Sequence, residues 1–171
     1  CNVASGAEVR IGLAAGAAGV GLLCTEIPFL GAADWPSQAD HQAALDPVLR
    51  LLAGRPAVVR LLDFSGDKVP PFLAGGESGL TALLRHPSAL ADQLRAILGS
   101  GRDTLLHVMV PMVTTLDEVA AVRSALADAA AEADAGLPAL GMMVEVAATA
   151  AAATEFGPAI DFFSIGTNDL T

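Results

Sequence analysis

The chain has 171 residues, of which 53% are hydrophobic and only 4% aromatic, a composition that excludes disorder and suits one packed core. Its 9 Lys and Arg against 19 Asp and Glu give a net charge of −10, which repels nucleic acid and anionic lipid over most of the surface. An anionic ligand must therefore be held by local cations or a metal. Cys1 and Cys24 have no His or Cys partner at zinc spacing and read as two reduced thiols of a cytoplasmic protein. The apolar stretch from Ile11 to Cys24 is interrupted by glycines and falls short of the ~20 residues of a spanning helix. The absence of a starting Met suggests a segment of something longer.

In chain order, six short apolar runs are predicted as strands: Cys1 to Ala4, Val20 to Cys24, Ala57 to Leu62, Leu105 to Val110, Ala139 to Val144 and Ile160 to Ile165. Helical spacing lies between them, clearest over Ser88 to Leu98 and over Leu116 to Ala130, where "TTLDEV" reads as an N-cap followed by early acidic residues. The runs are apolar at mostly consecutive positions, so both faces of each strand should be covered, as in a parallel sheet or closed barrel. The fold class is therefore α/β, with no domain boundary within residues 1–171. Ser65 to Gly79, "SGDKVPPFLAGGESG", reads as an ordered loop or a mobile lid.

Parallel α/β folds bind ligands at the carboxyl ends of their strands. Those ends carry Asn2, then Thr25 and Glu26, then Arg60 with Asp63, then Pro111 and Met112, then Glu145, then Asn168 and Asp169. Glu145, in "GMMVEVAA", is costly to bury alone, and Asp169 at the next strand end is placed to share a cation with it. Two carboxylates on neighbouring strands suit Mg²⁺; capping of helices, or pairing with Arg60, is the competing account. Arg60 is suited to gripping a phosphate or carboxylate, or else to a salt bridge with Asp63 or another interior acid. Lys68 reaches a phosphate only if its loop closes over the site, and otherwise is a solvated surface residue. His41, His86 and His107 read as satisfied structural histidines. There is no G-x-S-x-G, no G-x-G-x-x-G after a strand and no phosphate-loop lysine, which removes the serine-hydrolase and nucleotide-fold readings.

"GVGLLCTEIPFL", "AVVRLLDFSGDK", "ADQLRAIL", "HVMVPMVTTLDEV", "GMMVEVAATAA" and "DFFSIGTNDLT", taken in order, resemble the strand motifs of the C-terminal barrel of phosphoenolpyruvate-utilising enzymes, above all those of the enzyme I type. The resemblance implies a TIM-type β/α barrel with about six of its eight units here and the C-terminal units lacking. It also implies phosphoryl transfer from phosphoenolpyruvate, which leaves pyruvate, to a protein histidine on a separate N-terminal domain and thence to a phosphocarrier. By motif, Glu145 and Asp169 match Mg²⁺ ligands, Asn168 a phosphate contact and Arg60 an arginine on the substrate phosphate. Dimerisation through the barrel is a further implication.

The departures bear on activity. Cys24 stands where the family carries a substrate-binding Arg, and Ser78 and Thr81 where two more are expected, with Arg85 a partial substitute; Ala147 replaces a Pro and Ser65 a Gly. Alternatives to a fragment of such an enzyme, itself inactive, are a diverged non-catalytic barrel for binding or dimerisation, and a Mg²⁺-dependent pyruvate or oxoacid lyase.

Overall fold

The computed structural model describes residues 1–166, so Asn168 and Asp169 lie outside the described residues. Six parallel strands, β1 (Asn2–Val3), β2 (Val20–Leu23), β3 (Pro56–Arg60), β4 (Leu105–Val110), β5 (Ala139–Val144) and β6 (Phe162–Ile165), pair in sequence order to form one curled sheet, a half-barrel. Helices alternate with them: α1 (Gly6–Ala14), α2 (Gln38–Leu49), α3 (Gly79–Leu84), α4 (Pro87–Ser100), α5 (Leu116–Glu132), α6 (Ala147–Ala151) and α7 (Ala153–Phe156). This is the α/β arrangement of a partial TIM-type barrel.

Local chemistry sets the helix starts. Ser37 and Asp40 form a reciprocal capping box at α2, and Thr115 and Glu118 form another at α5, each satisfying main-chain donors that the first turn leaves open. The predicted strands at 105–110 and 139–144 match β4 and β5 at both ends. The third run stops short of its predicted Leu62 because the Leu62 N–H goes to the Gln93 side-chain oxygen at 3.1 Å rather than to a neighbouring strand. The sixth starts late because Asp161 accepts the Leu140 N–H through its carboxylate at 2.7 Å.

The two sheet faces differ. One face, with Ala57, Val59, Val108, Val110, Leu140, Met142 and Val144, joins Leu49, Leu94, Ile97, Val122 and Leu126 of the helices in one apolar core. Burying each such side chain contributes roughly 1.5–3 kcal/mol, so the helix-facing layer holds the fold. The concave face carries the row Arg60, Met109, Gly141 and Phe162, placed side by side by the strand register. Gly141 leaves room there for the Phe162 ring, which a Cβ would have to displace. In the Gly- and Pro-rich segment Phe72 packs on Trp35, at 5.4 Å between ring centroids, and Phe64, just before the segment, packs on the same ring at 5.9 Å. Among the described residues no helix is long and apolar enough to cross a membrane.

Candidate functional site

The carboxyl ends of β2 to β5 gather the ionic side chains that the sequence points to. Arg60 ends β3, is 5% exposed, and donates from Nη2 to Glu26 Oε1 at 2.7 Å; its Nη1 lies 3.5 Å from Asp63 Oδ2. Glu26 follows β2 and is fully buried. The same Oε1 accepts from Lys68 Nζ at 3.1 Å, so one carboxylate oxygen holds two cations. The salt bridge foreseen for Arg60 is therefore present, with Glu26 the shorter of its two partners, and Lys68 is anchored rather than freely solvated.

A network of uncharged groups fixes this cluster from behind. Thr25 Oγ1 donates to the Arg60 carbonyl at 2.8 Å and accepts from Gln93 Nε2 at 3.1 Å. Gln93, on α4, is wholly buried, and its carbonyl oxygen takes the Leu62 N–H. Buried polar atoms bonded in this way are stable where lone ones are not.

Burial alone would lower the pKa of Arg60, but the charges of Glu26 and then Asp63 more than offset it, so the guanidinium sits above its ordinary value. In Lys68, likewise, the penalty of burial is outweighed by the hydrogen bond from Nζ to Glu26 and by the Glu26 charge. The Cys24 thiol is pushed up by burial first and the Glu26 charge second, against the pull of Arg60 and Lys68. Its Sγ lies 3.9 Å from Arg60 Nη2. A neutral thiol thus stands beside the guanidinium where the sequence resemblance leads one to expect a further cation.

Glu145, just past β5, is 3% exposed, and its Oε1 accepts the Met112 N–H at 2.6 Å. Met112 adopts a φ of 51°, in the left-handed region that non-glycine residues rarely enter, which turns its N–H toward the carboxylate. On the other side Gly166 approaches so closely that a Cβ there would sit 2.9 Å from Glu145 Cβ. The main chain thus helps to orient Glu145, whose charge also acts on Arg60, while Arg60 is held chiefly by the charges of Glu26 and Asp63.

Arg60, Lys68 and Glu145 are shared between two adjoining hollows. One, of about 570 Å³, is also lined by Asp63, Met112 and Ala147; the other, of about 330 Å³, by Asn2, Cys24 and Ser164. The described part of the cleft therefore presents two cations beside a hard carboxylate oxygen, a surface able to take a small anion together with a divalent cation. Arg85 is not part of it: it pairs with Glu77 at 2.8 Å in a separate groove beside Phe72 and His86. Ser78 is the N-cap residue of α3 and Thr81 lies within that helix.

The three histidines separate into two kinds. His86 and His107 each hold a main-chain oxygen through Nδ1, at 2.8 and 3.0 Å, as structural histidines do. His41 is 1% exposed with neither ring nitrogen partnered, and its ring meets Phe29 edge-on at 5.0 Å. It is buried but not satisfied, contrary to the expectation from sequence, because the helix face that carries it packs on apolar neighbours. Burial lowers its pKa from 6.5 to about 4, against the charges of Asp92 and Asp40.

A parallel half-barrel with ionic residues collected at the strand carboxyl ends is a partial β/α barrel with its polar groups where such barrels place their ligand sites. More narrowly, the chain belongs to the family described as PEP-utilising enzyme, PEP-binding domain, which it matches over residues 1–171. It is 41% identical over 181 aligned residues to a multiphosphoryl transfer protein of Xanthomonas campestris pv. campestris, covering 99% of this chain and 21% of that protein. It is 36% identical to the phosphoenolpyruvate-protein phosphotransferase of Bacillus sp. (strain S), covering 99% of this chain and 32% of the relative. The corresponding enzyme of Haloferax volcanii is 38% identical, with 99% and 33% covered. The chain spans between 21% and 33% of the length of these relatives.

Proposed function

We propose that this chain is the phosphoenolpyruvate-binding barrel of an enzyme I-type phosphotransferase. In the complete protein it would hold phosphoenolpyruvate while the phosphoryl group passes to a histidine on a separate N-terminal domain, and from there to a phosphocarrier protein. The observation that carries this reading is the meeting of Arg60, Lys68 and Glu145 in one cleft at the strand ends of a barrel of this family.

The division of labour follows from charge. Arg60 and Lys68 face the phosphate oxygens, with the Met143 sulfur 3.9 Å from Arg60 Nη1. Phosphoryl transfer is mainly positioning plus neutralisation of charge, so two preplaced cations are what such a site needs from side chains. Among the described residues no group of three His, Cys, Asp or Glu side chains forms a metal centre. The Glu145 carboxylate, a hard oxygen donor in the cleft, nonetheless fits Mg²⁺, with Asp169 as the second carboxylate to be supplied from outside the described residues. When bound, the ion supplies neutralisation of phosphate and enolate charge. Asn168, also outside the described residues, is proposed as a further phosphate contact.

A second reading is favoured by Cys24. With a neutral thiol beside Arg60, and with Arg85 engaged elsewhere, the barrel holds fewer cations than a phosphate clamp of this family is expected to have, which suits a non-catalytic binding or dimerising module. Calorimetric titration of the full-length protein with phosphoenolpyruvate, with and without Mg²⁺, separates the two. Binding that requires Mg²⁺ supports the phosphotransferase reading. Absence of heat under both conditions sinks it in favour of the second.

A further inference from the structure

We propose that Glu26 is the positioning residue of the anion-binding pair: its buried carboxylate holds Arg60 and Lys68 on one oxygen and, through Lys68, ties the loop after β3 to the end of β2. The inference rests on the reading of Arg60 and Lys68 as the cations that meet the substrate phosphate.

The geometry of the bridge is unusual for an arginine–carboxylate pair. Side-by-side contact would close two bonds, yet here only Arg60 Nη2 meets Glu26, and both Arg60 Nε and Glu26 Oε2 are buried without a partner. Two things draw the pair out of the two-bond geometry. Lys68 takes the same Oε1 from the loop side, and Asp63 holds the opposite edge of the guanidinium. One bidentate bond is given up so that a single carboxylate can hold two cations at one spot.

The carboxylate cannot drift with respect to Arg60. Its neighbour Thr25 is bonded to the Arg60 carbonyl itself, and Gln93 fixes Thr25 in turn. Lys68, by contrast, comes from the turn in which its own N–H bonds to the Ser65 carbonyl at 3.0 Å, and its side chain is one-third exposed. The rigid partner is therefore Glu26 and the guided one is Lys68. Without the carboxylate, two like charges converging on one spot would repel each other and Lys68 would swing to solvent. With it, a phosphate entering the cleft finds both cations already in place, which removes the ordering penalty from binding.

Lys68 is the sole lysine of the chain, which gives a readout independent of any ligand. In the full-length protein, Glu26→Gln, Lys68→Met and the double variant are compared for phosphoenolpyruvate affinity by calorimetry. Acetylation of Lys68 is followed separately, peptide by peptide, without ligand. Glu26→Gln is expected to weaken phosphoenolpyruvate binding roughly ten-fold or more and to speed Lys68 acetylation several-fold. The double variant should lose less than the two single losses combined, since Glu26 acts in part through Lys68 and in part through Arg60. Unchanged or tighter binding in Glu26→Gln, additive losses, or unchanged acetylation would each overturn the proposal; a purely structural Glu26 would give additive losses. If the wild-type protein takes up no phosphoenolpyruvate, the proposed function fails but the acetylation comparison still decides the role of Glu26. Should Glu26→Gln fail to fold, Glu26→Asp retains the charge on a shorter arm and must still speed acetylation.

Discussion

The two ends of the cleft hold their charges by different means. At the β2–β3 end each ionic group is answered by another: Arg60 by Glu26 and Asp63, Lys68 by Glu26. At the β4–β5 end the main chain takes a direct part, through the Met112 N–H that the Glu145 carboxylate accepts and the close approach of Gly166, beside the coulombic pull between Glu145 and Arg60. The first end is sensitive to any change in charge count. The second is sensitive to the path of the main chain around Glu145, which leaves no room for a Cβ at Gly166. That difference gives a physical setting for Cys24: a substitution at the charge-balanced end alters the ionic ledger directly while leaving the carboxylate end in place.

The sharpest way to break the contrast is Arg60→Met. Removing one partner of a buried pair leaves Glu26 fully buried with Lys68 alone, which should cost roughly 3–5 kcal/mol in unfolding free energy by denaturant titration. A loss below about 1 kcal/mol would mean that the pair is not what holds this end.

The histidine behind the same end offers a pH test. His41 has a folded pKa near 4 against 6.5 when unexposed to the protein, so between those values the unfolded chain binds more protons than the folded one. Stability therefore falls as pH drops from about 6.5 to about 4 and is not further reduced by this group below that. The full difference is about 3 kcal/mol on the scale of 1.36 kcal/mol per pKa unit. His41→Leu should flatten that part of the stability–pH curve; an unaltered slope would show that other groups carry it.

How much of this was legible beforehand depends on what each feature is made of. The strands were, because consecutive apolar residues mark a buried parallel sheet, and Arg60 and Glu145 were, because strand ends are where such folds bring polar groups together; Lys68, on a loop, had a solvated surface position as its competing reading. The bridging role of Glu26 was not: its place after β2 was visible, but which of several acids Arg60 would choose depends on packing across the sheet. Gln93 did leave a signal, a polar residue on the apolar stripe of its helix between Leu90 and Ile97. Met112 left none, since a left-handed backbone at a methionine is imposed by its surroundings and not by its side chain.

Cys24→Arg tests the charge-balanced end in the opposite direction, by adding the missing cation next to Arg60. A charge-assisted hydrogen bond contributes about 1.5–3 kcal/mol, so phosphoenolpyruvate affinity should rise by ~10–10²-fold in calorimetry. The new guanidinium must share Glu26 and Asp63 with Arg60, which makes the lower part of that range the expected one. No gain would mean that the thiol is not what weakens the phosphate end.

The smallest effect is expected where the main chain does the holding. In Gly166→Ala the added methyl group would lie 2.9 Å from Glu145 Cβ and 3.3 Å from its Oε2, so one of the two must shift by a few tenths of an ångström. Relieving such a contact costs roughly 1–3 kcal/mol, less than the roughly 3–5 kcal/mol of an uncompensated buried charge. Glu145 Cβ does not move when its side chain turns, so the main chain must give at Glu145 or at Gly166, whose N–H is tied to the Val144 carbonyl at 2.9 Å, and the carboxylate is displaced with it. Divalent-cation affinity, read by Mn²⁺ relaxation titration of the full-length protein, should then fall by several-fold, with a smaller loss of stability than Arg60→Met gives. A fall in stability as large as that of Arg60→Met would erase the distinction between the two ends, and unchanged cation affinity would show that the aim of Glu145 is set by something other than Gly166.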